Sequence, residues 1–146
     1  MTAETIAIAS DHAGFALKQV LKDRLQQGGF APLDLGTDGP QSVDYPDFAD
    51  KLAQALKDGR ATRGVLVCGT GIGISIAANR HHHVRAALCH DTSSARLARQ
   101  HNDANVLALG ARLIGEEAAL DTLQVFLNTG FDGGERHERR VGKLGQ

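Results

Sequence analysis

Cysteine is scarce in this chain: Cys68 and Cys89 are the only two in 146 residues. That excludes a disulfide framework beyond a single bridge and leaves both thiols open to chemistry. Charge of one sign is lacking too. Sixteen Lys and Arg stand against 17 Asp and Glu, for a formal net charge of -1, so no global field draws the chain to nucleic acid or to an anionic membrane. No apolar run approaches the roughly 18 residues of a membrane span. The opening "MTAETIAIAS" lacks the basic start and long apolar stretch of a secretory signal. These absences point to a cytosolic protein with reduced thiols, with neither nucleic acid nor membrane as partner. C-x-x-C, H-E-x-x-H and G-x-x-x-x-G-K-[ST] are all missing, which removes the common zinc and P-loop signatures.

What is present is an alternation of short apolar runs and amphipathic segments. "TIAIAS" reads as a strand, and Leu17, Val20, Leu21 and Leu25 then recur at helical spacing until Gly28 and Gly29 stop the helix. "FAPLDLG" is a weaker strand. Ala49, Leu52, Ala53 and Leu56 mark a second helix, with Pro46 in its first turn and Gly59 as its stop. "GVLVC" and "VRAALC" read as strands buried on both faces. "HDTSSARLARQHN" is a helix capped by Asp91 or Thr92, "NVLALG" a fifth strand, and Leu120, Leu123, Phe126 and Leu127 form the stripe of a further helix. The tail "GGERHERRVGKLGQ" is polar and basic. Five strands alternating with helices predict a doubly wound α/β fold, Rossmann-like, in which a five-stranded parallel sheet carries helices on both faces of a single domain, 1–146. In such folds ligands gather beyond the carboxyl ends of the strands.

The loop "CGTGIG" lies at such an end. Its glycines either form a nest of inward-pointing amides for an anion or simply make a tight strand-to-helix turn. G-x-G-x-x-G fails, because the third glycine is Gly73. Cys68 precedes the nest, where amides and a helix start would favour a thiolate able to act as base or nucleophile. Thr70 either orients a substrate oxygen or caps the helix. Cys89 reads as a small buried hydrophobe. Asp11 and His12 end the first strand on the same rim, with Asp11 as helix cap the plain alternative. His101 and Asn102 end the fourth helix, where an imidazole either answers helix carbonyls or transfers protons. Arg136 and Arg140, one helical turn apart, either fork around a phosphate or form a solvated basic face. His81, His82 and His83 are consecutive and so point in different directions, which suits an exposed loop better than a metal site. An enzyme using Cys68 as base or nucleophile, a non-catalytic phosphoryl-ligand module and a nicotinamide enzyme using the partial G-x-G with Asp91 all remain open at this level.

With "SDHAG", "DYPDFA", "VCGTGIGISIAANR", "RQHNDANVLALGAR" and "GGERHERRV" in this order, the chain resembles the type B ribose-5-phosphate isomerase family, which includes the galactose-6-phosphate isomerase subunits. The resemblance spans almost the whole chain. It implies a homodimer or a tetramer of dimers with shared active sites, and interconversion of aldose and ketose phosphates through a cis-enediolate without metal or cofactor. Residue by residue it implies Cys68 as the base, Thr70 as an aid to proton movement between oxygens, and His101 as the acid/base that opens the sugar ring. Gly69, Gly71, Ile72 and Gly73 would hold the enediolate. Asp11, His12, Tyr45 and Asn102 would contact substrate, and Arg112, Arg136 and Arg140 would surround the phosphate. Members that replace the cysteine use a glutamate after the glycine loop; here Ser75 or a neighbour stands there, with no acid. Ribose 5-phosphate is the first expectation for the substrate, a tetrose, another pentose or a hexose phosphate the alternative.

Overall fold

A computed structural model describes residues 2–145; Met1 and Gln146, the ends of the expected domain, lie outside the described residues. The strands are β1 (Thr5–Ser10), β2 (Ala31–Asp34), β3 (Arg63–Cys68), β4 (Ala86–Leu88) and β5 (Val106–Gly110). The helices are α1 (Phe15–Gln27), α2 (Tyr45–Lys57), α3 (Ile72–Ala78), α4 (Thr92–Asn102), α5 (Glu116–Asn128) and α6 (Glu135–Leu144). All strand pairs are parallel, in the order β2-β1-β3-β5-β4.

Alternation along each strand sorts the core into two layers. Ile6, Ile8, Val65, Val67, Leu107 and Leu109 pack with Leu21 and Leu25 of α1 and with Leu123 and Phe126 of α5. On the other face Ala7, Ala9, Leu66, Cys68 and Ala108 pack with Phe48 and Leu52 of α2 and Ile74 of α3. The expected helix signals act as read. Gly28 caps the end of α1, Pro46 sits in the first turn of α2, and the Asp91 carboxylate accepts the Ser94 N–H at 2.6 Å to cap α4.

"VRAALC" departs from expectation. Only Ala86–Leu88 form a strand, and they are half-buried, because β4 is an edge strand paired with β5 alone. The basic tail forms the helix that the spacing of Arg136 and Arg140 presupposes. None of the α6 residues is buried, and α6 rests on α4 through the stacked rings of His101 and His137, 4.8 Å between centroids at 6°.

The neighbours β1 and β3 position the site. After β1 the chain turns to one face through α1, and after β3 to the opposite face through α3. A crevice therefore opens at their carboxyl ends, the place where ligands bind in doubly wound sheets.

A buried cation organises the loop leaving β2. Lys18, 0% exposed, meets Asp34 Oδ1 at 2.6 Å and donates to the Thr37 carbonyl at 2.7 Å. Lys22 takes the other Asp34 oxygen at 2.8 Å, and the Gly36 N–H donates to Oδ1 at 2.9 Å. Buried ammonium groups persist only when paired in this way.

Candidate active site

Cys68 ends the central strand β3 and is 4% exposed. Its Sγ accepts the Gly71 N–H at 3.1 Å, which fixes the sulfur against the loop. Gly71 makes this return possible with a φ of 76°, where a side chain would be strained, and a Cβ there would stand 2.5 Å from Leu88 Cδ1. The Thr70 hydroxyl accepts the Ile72 N–H at 3.1 Å, so its own hydrogen is free to turn toward an added oxygen. The first bond of α3 to a carbonyl one turn back is Ser75 N–H to Gly71 at 3.1 Å. The amides of Gly73 and Ile74 thus lack an intrahelical partner. The Ser75 hydroxyl is turned inward to the Ile72 carbonyl at 2.8 Å, and no acid stands beside it in the chain.

Two side chains flank the loop. Tyr45, at the start of α2 and 39% exposed, lies against Gly73 so closely that a Cβ there would sit 2.6 Å from its Cζ. Arg112 holds Gly69 from the other side. Its backbone N–H donates to the Gly69 carbonyl at 2.9 Å, and its Nη1 lies 3.2 Å from where a Cβ of residue 69 would stand. From β1, whose Ser10 is level with Val67, Asp11 follows at the height of Cys68. Asp11 is buried, and its Oδ1 accepts the Gly14 N–H at 3.1 Å, closing the turn into α1. His12 accepts the Val43 N–H on Nδ1 at 3.1 Å.

One chain therefore gathers Cys68, Thr70, Gly69, Gly71, Ile72, Gly73, Asp11, His12, Tyr45 and Arg112 at the carboxyl edge. His101, Asn102, Arg136 and Arg140 lie elsewhere. A helix between parallel strands must return to the amino edge, and α4 covers its 11 residues in about 16 Å. Its end, with His101 and Asn102, is thus on the far side of the sheet. There it meets α6, which carries Arg136 and Arg140. His137, which sequence reasoning passed over, is pushed below its ordinary 6.5, first by loss of solvent and then by the charges of His101, Arg136 and Arg140. Cys89 is buried as expected, and burial pushes its thiol up. The three histidines bond different partners: His81 bonds Asp50 at 2.8 Å, His83 the Ala53 carbonyl at 2.7 Å, and His82 the Gly145 carbonyl at 3.2 Å, while the His81 and His83 rings meet edge-on at 5.9 Å between centroids.

Residues 6–144 match the family described as Ribose/Galactose Isomerase. The chain belongs to that family. It is 44% identical over 136 residues to ribose-5-phosphate isomerase B of Escherichia coli, covering 93% of this chain and 91% of the relative. It is 48% identical over 132 residues to D-erythrulose-4-phosphate isomerase of Pectobacterium atrosepticum, over 89% of this chain and 86% of the relative. Among solved structures, a ribose 5-phosphate isomerase of Thermotoga maritima superposes with a TM-score of 0.94 at 53% identity, over 97% of each chain. That structure and this chain thus share one fold over almost their whole length.

Proposed function

We propose that the chain is an aldose-ketose isomerase converting ribose 5-phosphate to ribulose 5-phosphate. The observation that carries this reading is the Cys68 sulfur in the β1/β3 crevice, held by a loop amide and flanked by the remaining loop amides, Tyr45 and Arg112. A C–H bond beside a carbonyl is weakly acidic, so a base works only where fixed dipoles stabilise the oxyanion that develops. Cys68 takes the proton from C2 of the open-chain aldose, the electron pair forms the C1–C2 double bond, and the C1 carbonyl becomes the oxygen of an enediolate. Amides of the glycine loop that are not already engaged, that of Gly73 among them, hold that oxygen. Thr70 passes the hydroxyl proton between O2 and O1, and Cys68 returns its proton to C1, which leaves the ketone at C2. The atoms balance with no external oxidant or reductant.

Ring opening and phosphate binding fall to the second cluster. His101 moves a proton between the ring oxygen and the anomeric hydroxyl, Asn102 contacts the sugar, and Arg136 and Arg140 take the phosphate with Arg112. Since one chain holds these groups on opposite edges of its sheet, two chains build each site, in a homodimer or a larger symmetric assembly. The neutral composition and unpaired thiols suit the cytoplasm.

A tetrose phosphate is the second reading of the substrate, favoured by the 48% identity to D-erythrulose-4-phosphate isomerase. The test is a panel of aldose and ketose phosphates of four to six carbons in deuterated water with a chelator, followed at C2 by NMR. Interconversion with deuterium at C2 of the aldose is expected, fastest with ribose 5-phosphate. Binding without exchange across the panel would replace the isomerase by a non-catalytic phosphoryl-ligand module.

A further inference from the structure

His12 stands with Cys68 at the carboxyl edge as a group able to accept a proton from carbon, and the bond from Val43 decides what its ring can do. An amide N–H only donates. The ring nitrogen it meets at 3.1 Å, Nδ1, therefore carries a lone pair, and the neutral ring bears its hydrogen on Nε2. With Nδ1 engaged and Nε2 protonated, the imidazole has no free lone pair to offer a substrate. It has one N–H. Nε2 has no hydrogen-bond partner among the described residues, and His12 is half-buried.

The element that imposes this tautomer is itself pinned. The Ser10 N–H donates to the Gly36 carbonyl at 2.8 Å and the Thr37 N–H to the Ser10 carbonyl at 2.9 Å. Lys18 holds the Thr37 carbonyl from below, and the same loop runs on through Val43 into α2 and Tyr45. The turn on the other side of the ring is closed by Asp11 on Gly14.

We propose that Val43 is a positioning residue that makes His12 a fixed Nε2–H donor to an oxygen of the substrate, and that His12 takes no proton in the reaction. This rests on the isomerase reading and deepens it, since it removes His12 as a rival to Cys68 for the base. The direct test is long-range proton-nitrogen NMR of the unaltered protein labelled in histidine. An unprotonated Nδ1 and a protonated Nε2 are expected for His12, and a proton on Nδ1 would overturn the proposal. Two substitutions test the donor. Glutamine places an amide nitrogen near the position of Nε2, asparagine near that of Nδ1. His12→Asn should lower kcat/KM by about 10- to 100-fold, the range of a lost hydrogen bond to a charged group, and His12→Gln should recover most of it. Equal loss in both, or better rescue by asparagine, would overturn the donor role. The tautomer is read on the free protein, so its failure is distinct from failure of the isomerase reading, which shows as absence of turnover in the unaltered protein.

Discussion

Replacing Cys68 by alanine is expected to lower kcat at least about 10³-fold, within the range lost with a general base, while sugar-phosphate affinity changes little. In the proposed site arginines and not the sulfur would hold the phosphate, so the loss is expected in kcat with KM nearly unmoved. Alanine also strands the Gly71 N–H that now donates to Sγ at 3.1 Å, a disturbance of about 1–3 kcal/mol for a buried donor. Cys68→Ser separates the two effects. The hydroxyl keeps an acceptor for that amide and preserves the loop, yet it is too weak an acid to supply the conjugate base at neutral pH. Both variants should therefore be inactive, and only alanine should lose thermal stability. Recovery of more than a tenth of the activity in serine would move the base to another residue.

The second large effect is on stability. Lys18→Met should cost about 3 kcal/mol, the lower end for breaking a buried ion pair, because Asp34 keeps Lys22 as partner. For a chain of this size that is a fall of about 10 °C in Tm. A change under about 1 kcal/mol in urea unfolding would contradict the role given to this cation. The pH dependence supplies a further readout. Burial alone would push the Asp34 carboxyl up, but hydrogen bonds from Lys18, Lys22 and the Gly36 N–H outweigh it and hold the group below its ordinary 3.8. A carboxylate lowered on folding stabilises the protein above its unfolded value and loses that contribution as pH falls. Unaltered protein should thus lose stability from about pH 5 downward through the carboxylate range. In Lys18→Met that slope should be shallower.

Much of this architecture is legible in the residues. Alternation in "TIAIAS" and "NVLALG", helical spacing in α1, α2 and α5, and glycine stops give the layer order, because periodicity and breakers are local properties. "VRAALC" was misleading since an apolar run reports hydrophobicity and not how many neighbours a strand has; β4 is short and half-buried at the edge. Lys18 gave no signal. A lysine on an amphipathic helix ordinarily faces water, and its burial depends on Asp34, which only the packing of α1 against β2 brings near. The bond from Val43 to His12 was equally hidden, because a backbone amide has no sequence signature. "CGTGIG" with Cys68 was readable as a site through its glycines. The placing of His101 on the opposite edge follows from parallel topology once α4 is known to connect β4 to β5.

That separation makes complementation the most direct measurement of the account. Cys68→Ala and His101→Ala chains, each inactive alone, should be coexpressed under two tags and purified as mixed assemblies. If each site takes Cys68 from one chain and His101 from another, a mixed dimer restores one of its two sites, and the doubly purified mixed dimers recover about half of wild-type turnover. Mixed assemblies no more active than either parent would show that the two residues act within one chain or not together at all, and would contradict the shared site.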